Sequence, residues 1–330
     1  MDPEVTVMTK YYLGVDLAGT NIKAGLFADS FQTVKKVHRP THEEQGADAV
    51  LNRIWSSCED LMADAGVTSD DIAAAGFGIP GQMDIQKGIS IFSPNFTDWQ
   101  NVPVVQWFQN KLGKPVFIDN DVRVHLYGET TFGAGKGHQN VVLVAIGTGL
   151  GAAVMIDGHV LYGASNSVGE IGHMNMYRHG RPCACGSSGC LGRYVSARGI
   201  VKTMHDKLSE GQTSIVSQWV VQGEEMTTKL ISKAVAQGDE TATEVFKETG
   251  ELLGFGLSNV INLYNPEELI LGGGVSAAGE ALFKDTRETI AHHSLQVAQN
   301  ACKVSMAQLG DEAGMIGAAV YASRKLNRSM

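Results

Sequence analysis

Two stretches of this chain repeat one pattern. Val15-Asp-Leu-Ala-Gly-Thr-Asn-Ile-Lys-Ala-Gly-Leu26 and Val144-Ala-Ile-Gly-Thr-Gly-Leu-Gly-Ala-Ala-Val154 each read as an apolar strand, a turn containing Gly-Thr and a second apolar strand. From Gly19 to Gly147 the copies lie 128 positions apart. A repeat of that size in a chain of 330 residues points to two related lobes facing each other across a cleft. The alternative is a chance match between two Gly-rich hairpins.

The segments around each copy support an α/β architecture. Tyr11–Leu17, Lys23–Ala28 and Thr33–His38 read as successive strands joined by tight turns. Ala47–Ala65 places Val50, Leu51, Ile54, Leu61 and Met62 near helical spacing and ends at Gly66. Ile72–Ile79 reads as a buried strand, Val104–Leu112 as a helix and Pro115–Ile118 as a strand again. In the second half, Val141–Ile146, Ala152–Ile156 and His159–Tyr162 read as strands. Helices come next over Met226–Gln237 and Glu240–Asn265, then a strand over Glu268–Leu271 and a small-residue helix over Asp311–Arg324. In the first half, three strands and then alternating helix and strand predict an α/β lobe with a mixed sheet, and the second half begins similarly.

Composition excludes several function classes. The net charge of −9 argues against a nucleic-acid partner, which requires a basic stripe to neutralise phosphates. The start, MDPEVTVMTK, has no apolar core of a signal peptide. The longest uncharged run, Asn140–Ile156, is short and broken by Gly-Thr-Gly-Leu-Gly, which argues against a membrane span. The expectation is a cytoplasmic protein with neither a nucleic-acid nor a membrane partner.

The Gly-Thr turns are the first chemical feature. Such a turn exposes backbone N–H groups and a hydroxyl, which suit phosphate oxygens. Asp16, at the end of its strand, is placed to serve a Mg2+ ion bridging those phosphates. One such hairpin reads best as plain turn geometry. Two in equivalent places, with Leu271-Gly-Gly-Gly-Val-Ser276 after a late strand, read as nucleotide binding. The candidate set is Asp16, Gly19, Thr20, Asn21 and Lys23 in the first copy, with Gly147, Thr148, Gly149, Gly272, Gly273 and Gly274 in the second half. There is no P-loop signature. Gly76-Phe-Gly78-Ile-Pro-Gly81 fits Gly-x-Gly-x-x-Gly, but Gln82-Met83-Asp84 and then Gly88 read as a turn into a strand, without the helix start a dinucleotide site requires.

Three of the five cysteines fall within eight residues, in the array His173-x9-Cys183-x-Cys185-x4-Cys190. Three thiolates and one imidazole make a closed tetrahedral shell for structural Zn2+, and Gly186 and Gly189 let the chain fold back on itself. The alternative is a trio of ordinary buried cysteines. Cys58 and Cys302 have no such neighbours and read as core residues. A third feature is Ile118-Asp119-Asn120-Asp121 at a strand end. A carboxylate there can take a proton from a substrate hydroxyl, and Asn120 can orient that substrate; equally, Asp or Asn there can cap a helix.

Together these segments resemble the ROK family of sugar kinases, bacterial glucokinases among them, from Tyr11 to about Ala322. The most specific part is Glu170-Ile-Gly-His173 with Cys183-Ala-Cys-Gly-Ser-Ser-Gly-Cys190 after it. Asp16–Asn21 and Ala145–Gly151 look like the two phosphate motifs, and Gly272–Gly274 like the adenosine motif. Gly78-Ile-Pro-Gly81, Ser93-Pro-Asn95 and Asn120-Asp121 look like sugar loops. The resemblance implies a duplicated actin-like, ribonuclease-H-like fold, with a small lobe of residues 1–118 and about 312–330 and a large lobe of 119–311. It implies Asp121 as general base, a sugar held by Gly81, Asn95, Asn120, Asp121, Glu170 and His173, and His173 as a zinc ligand too. ATP, Mg2+ and structural Zn2+ are the implied cofactors, a hexose the substrate, and a homodimer the assembly.

Three positions depart from the family pattern: Ala18 where Gly is usual, Arg123 where Asn is common, and Gly192 where the family has a sugar-binding Glu after the last cysteine. A lost carboxylate removes about 1–3 kcal/mol of charge-assisted bonding, and Arg193 beside it can serve a differently substituted sugar. The expected activity is transfer of the ATP γ-phosphate to the 6-hydroxyl of a hexose, glucose first. The alternatives are a kinase for another aldohexose, an amino sugar or a cyclitol, a sugar-sensing regulator, and a degenerate kinase-like protein. The regulators of this family carry a DNA-binding segment ahead of the kinase-like part, and only about ten residues precede Tyr11 here.

Overall fold

The first copy of the repeated pattern is an antiparallel hairpin in the computed structural model of the chain, which describes residues 10–93 and 96–329. Strands β1 (Tyr11–Leu17) and β2 (Asn21–Ala28) pair with Asp16 opposite Lys23 and Leu17 opposite Ile22. Strand β3 (Thr33–Pro40) adds antiparallel to β2. Helix α1 (Ala47–Ala65) buries Val50, Leu51, Ile54, Cys58, Leu61 and Met62, the stripe read from the sequence. It ends at Gly66 (φ 67°), whose N–H returns to the last-turn carbonyls of Met62 and Ala63. Strand β4 (Ile72–Ile79) then runs parallel to β1.

A small separate sheet of β5 (Gln82–Asp84), β6 (Ile89–Phe92) and β7 (Gln100–Val102) comes next, which accounts for the missing phosphate helix after Gly81. Helix α2 (Val104–Leu112), strand β8 (Val116–Asn120, parallel to β4) and helix α3 (Asp121–Phe132) complete this part. The main sheet has the order β3-β2-β1-β4-β8.

The second copy starts another sheet: β9 (Val141–Ile146), β10 (Leu150–Ile156) and the short β11 (His159–Val160). Helices α4 (Gly192–Val195), α5 (Ala197–Ser209), α6 (Ile215–Val221), α7 (Thr228–Ala236) and α8 (Glu240–Tyr264) lead to strand β12 (Glu268–Gly272). Helices α9 (Glu280–His293) and α10 (Gln296–Ala301) precede strand β13 (Lys303–Met306). Its order, β11-β10-β9-β12-β13, repeats the first sheet strand for strand, with the two later strands parallel to the hairpin's first strand in both. The copies differ at the turn: residues 18–21 separate the last pair of the first hairpin, residues 147–149 that of the second.

Helix α11 (Ala313–Ser329) ends the chain and belongs to the first unit. That unit takes the described residues up to Gly137, then Tyr162–Ser167 and the chain from Gln308 on; the second takes His138–Leu161 and Val168–Ala307. Helix α3 is thus grouped with the first unit, and Tyr162 lies beyond β11, which ends at Val160 rather than running through His159–Tyr162. The reason is glycine. Gly14 and Gly76 are register partners in β1 and β4, and a Cβ on either would run into α11 backbone, at Met315 and Ala318 respectively. Gly128 of α3 faces the Ala313 carbonyl, and Gly317 of α11 faces the backbone of Val124 and Gly128. Helix α3 is thus fastened to the terminal helix, which is itself laid on β1 and β4. Glu129, fully buried, adds a polar tie by accepting backbone N–H bonds from Ala134 (2.8 Å), Gln308 (3.2 Å) and Leu309 (2.8 Å).

In the second unit, the 25-residue α8 buries Val245, Phe246, Leu253, Leu257, Val260 and Ile261. Gly250 and Gly254 let α9 approach, the first facing the Leu282 carbonyl and the second that of Thr286. No helix among the described residues is long and apolar enough to cross a membrane.

The glycine contacts give a direct test. Gly76→Ala should lower unfolding stability by about 1–3 kcal/mol, because the added methyl must displace α11 backbone. The midpoint of urea denaturation measures it, and an unchanged midpoint would contradict the packing described.

Candidate active site and metal centre

The strand end Asp119-Asn120-Asp121 sorts its three side chains into three tasks. Asn120 is the N-cap of α3, its side-chain oxygen accepting the Val122 N–H at 3.0 Å. Asp119, fully buried, accepts from the Asn120 N–H (2.7 Å), Arg123 Nε (2.5 Å) and the Tyr162 hydroxyl (2.6 Å). Arg123 also lies 5.0 Å over the Tyr162 ring and donates to the Asn166 carbonyl at 3.0 Å. Arg123 is 4% exposed.

Asp121 opens α3 as a half-buried carboxyl, pushed up to about 6 by burial and then by the negative charge of Asp16. A carboxylate poised there is charged at neutral pH yet basic enough to take a proton. Asp16 reaches the same place through the sheet: β1, β4 and β8 are parallel neighbours, with Asp16 beside Gly78 and Gly78 beside Asp119. The carboxyl ends of parallel strands are where α/β sheets present ligand-binding groups.

Sequence reasoning missed His125. It stands one helical turn after Asp121, with Nε2 3.2 Å from Asp16 Oδ2. Burial works against a charged ring there, but the carboxylates of Asp16 and Asp121 outweigh it and raise the His125 pKa. The four-residue spacing from Asp121 was the available signal. Lys23, opposite Asp16 in register, bonds Asp311 Oδ1 at 2.7 Å. At the turn itself Thr20 and Asn21 are exposed and bonded side chain to side chain at 3.0 Å, beside the half-buried Gly19. Gly81 takes a left-handed φ of 95° against Phe92 and Ser93. Asn95 lies outside the described residues.

In the second unit the structure brings the remaining glycine motifs together. Gly272 pairs with Ala145 in register, and Gly273 (φ 88°) packs against Ile146, the residue before the Gly147-Thr148-Gly149 turn. That turn is closed by Gly147 N–H to Gly149 O at 2.9 Å, and a Cβ on Gly147 or Gly149 would meet open space. Two backbone-rich turns at the ends of β9 and β12 form one surface suited to phosphate and nucleoside groups.

The metal array also assembles. The ligand atoms of His173, Cys183, Cys185 and Cys190 lie within 4.8 Å of one another, with Cys183 Sγ 3.7 Å from His173 Nδ1 and Cys185 Sγ 3.7 Å from Cys190 Sγ. A tetrahedral zinc with bonds of about 2.3 Å to sulfur sets its ligands about 3.8 Å apart, so the quartet fits Zn2+. The Ser187 N–H, then Cys183, draw the Cys185 thiol down to about 7, while burial pushes Cys190 up to about 12. Gly186 and Gly189 adopt positive φ of 89° and 71°, as the fold-back requires. Arg181 braces the loop, donating to the carbonyls of Arg193 (3.0 Å) and Gly199 (3.2 Å), to Thr203 and to Asp206, while stacking 4.6 Å from the Tyr194 ring centre. His173 turns its other nitrogen, Nε2, toward Glu170 at 3.8 Å.

Cys58 and Cys302 stand apart from this cluster, their thiols pushed up by burial to about 12 and about 11. Gly192 opens α4 beside the Glu170–His173 turn, where a Cβ would sit 3.2 Å from the Gly172 carbonyl. Arg193 Nε next to it is buried without a hydrogen-bond partner.

Comparison with known proteins agrees with this geometry. The family model described as the ROK family matches residues 12–325. A glucokinase of Thermotoga maritima is 34% identical over 307 residues, covering 93% of this chain and 95% of that protein. Among solved structures, a ROK family glucokinase from Streptomyces griseus, in complex with glucose and AMPPNP, superimposes with a TM-score of 0.81 at 30% identity, over 95% of this chain and 99% of that one. A ROK family transcriptional regulator, a homologue of the E. coli MLC protein, gives a TM-score of 0.84 at 28% identity, over 96% of this chain and 78% of that one. The fold is the duplicated actin-like α/β fold of these proteins.

The metal centre predicts a composition. Purified protein should carry about one zinc ion per chain by elemental analysis. Cys183→Ser or Cys190→Ser should lose it and lower the melting temperature by roughly 5 °C or more. Full thermal stability without zinc would argue against a structural metal.

Proposed function

Because the chain belongs to the ROK family, we propose that it is an ATP-dependent sugar kinase that phosphorylates the 6-hydroxyl of a hexose, with glucose as the first substrate. The observation that carries this reading is Asp121, the half-buried residue that opens α3 directly after β8, its carboxyl raised to about 6 by burial and the Asp16 charge, with His125 one turn further on. Asp121 takes the hydroxyl proton as the sugar oxygen attacks the γ-phosphorus; the bond to the β–γ bridging oxygen breaks and ADP leaves.

The Gly19–Asn21 and Gly147–Gly149 turns hold phosphate oxygens, and Gly272–Gly274 the adenosine. Asp16 offers one hard anionic oxygen, the kind of ligand that suits Mg2+ shared with phosphates. When bound, Mg2+ supplies positive charge to the β- and γ-phosphate oxygens. Asn120, Glu170 and His173, with Gly81 and Asn95, orient the sugar. A zinc ion held by His173 Nδ1 with the three cysteines would leave Nε2 of the same ring for a sugar hydroxyl and would fix the direction of that ring.

Gly192 makes the sugar identity an open contest between glucose and an amino sugar, another aldohexose or a cyclitol. ADP release with ATP and a panel of glucose, mannose, fructose, glucosamine, N-acetylglucosamine, N-acetylmannosamine and myo-inositol tests it. Dominant glucose turnover supports the first choice. One dominant alternative reassigns the substrate, and no turnover on any member overturns the kinase reading. The likeness to a transcriptional regulator supports a second reading, sugar-responsive DNA binding, which a gel shift at low salt tests.

Asp121 itself gives two further tests. Asp121→Asn should reduce kcat by about 10²–10⁴-fold while sugar affinity stays within about threefold, by single-turnover and titration measurements. A base of pKa about 6 must be ionised to act, so kcat/KM should fall as pH drops through about 6, approaching tenfold per unit. A flat profile down to pH 4.5, or wild-type turnover by the Asn variant, would remove Asp121 from the role.

A further inference from the structure

We propose that His125 is a positioning residue for phosphoryl transfer, holding the Asp16 carboxylate in one orientation beside the first phosphate turn. The inference rests on the kinase reading above and names a residue that its assignments do not include.

Three elements converge on this pair. Asp16, 5% exposed at the end of β1, is a carboxylate that can only accept hydrogen bonds. His125 Nε2 lies 3.2 Å from its Oδ2, the distance at which an Nε2–H donates to that oxygen. Helix α3 sets His125 four residues after Asp121, on the same helical face as the proposed base. The third element is α11. A Cβ at Gly314 would overlap the Asp16 carboxyl group and come within 2.6 Å of His125 Nε2. The terminal helix thus presents bare backbone where the carboxylate and imidazole meet.

The consequence is orientation. Asp16 lies two residues before the turn of Ala18-Gly19-Thr20, and Thr41 clamps that turn by bonding Ala18 O through its hydroxyl (2.8 Å) and Thr20 O through its N–H (2.9 Å). With the backbone held there and Oδ2 held by His125, the other carboxylate oxygen has a fixed direction. A residue that orients a metal-serving carboxylate in this way contributes roughly 10–100-fold to metal affinity or activity.

His125→Ala and His125→Gln in the full chain test this, the amide of Gln restoring an N–H donor. For the Ala variant we expect kcat roughly 10–100-fold lower and the Mg2+ concentration for half-maximal rate raised by a similar factor, with the sugar KM unchanged. Gln should recover most of the loss. Calorimetry supplies a readout apart from turnover: ADP binding in the presence of Mg2+ should weaken in the Ala variant, while ADP without Mg2+ and sugar bind as in the parent. Parent-like Mg2+ dependence in the Ala variant overturns the proposal. So does equal weakening of sugar and ADP binding with a lowered melting temperature in both variants, which marks a purely structural role. If the parent turns over no sugar, the kinase reading fails, and the calorimetric comparison still decides whether His125 acts on Asp16.

Discussion

The first unit depends on how closely the backbone of α11 approaches its neighbours. Gly14 and Gly76 remove side chains from two adjacent strands, and Gly128 and Gly317 remove them where α3 meets α11. Without those atoms the terminal helix rests on the sheet main chain, and its Met315, Ala318, Ala319 and Ala322 are completely buried. Interiors pack at near-crystalline density and do not yield to an extra methyl. The same approach fixes the chemistry. With α3 held against α11 and α11 against β1, Asp16, His125 and the start of α3 have little freedom to separate. The end of the chain is therefore part of the construction of a site whose residues come from its beginning and middle.

The second unit solves positioning differently. Its glycine turns are placed by strand register, since Gly272 must lie beside Ala145 once β12 pairs with β9. The loop from Glu170 to Cys190 has no strand to hold it. Its order comes from isolated bridges at Asn175–Cys190 and Pro182–Ser188, from the fan of bonds around Arg181, and from four ligand atoms set at zinc spacing. A metal suits this place because it replaces a core that so short a loop could not bury.

Much of this was legible in the sequence. The paired hairpins, α1 with its Gly66 stop, and the Cys-His spacing each have a local cause, such as periodicity, a turn residue or a ligand count. The misses share a different cause. Helix α3 buries Arg123 and Glu129 along with its apolar residues, so its amphipathic pattern is weak and gave no sign that it belongs with the first unit. Arg123 is buried because Asp119 and Tyr162 wait for it, and His125 matters because Asp16 is 109 residues away in sequence yet 3.2 Å away in space. The His125–Asp16 and Tyr162–Asp119 pairs are tertiary facts, invisible to any short window along the chain, although Arg123 itself lies only four residues from Asp119. The echo itself was legible as topology but not in detail, because the first turn carries one more residue than the second.

Asp119 and Asp121 show how the fold assigns roles to similar groups. They are two residues apart at one strand end, and by sequence either could be a base or a cap. Pleating turns Asp119 inward, where a guanidinium, a phenol and a backbone N–H occupy its oxygens. A carboxylate that is fully buried and already accepts three hydrogen bonds is committed to the fold. Asn120 between them takes the cap, which frees the next side chain from that duty. Asp121 is left where burial and the Asp16 charge make its ionised form less comfortable, the condition that gives a carboxylate basicity near neutral pH. Arg123 and Tyr162 lock Asp119, Asp119 bonds the Asn120 N–H at the strand end, and Asp121, the base proposed above, follows directly from that fixed point.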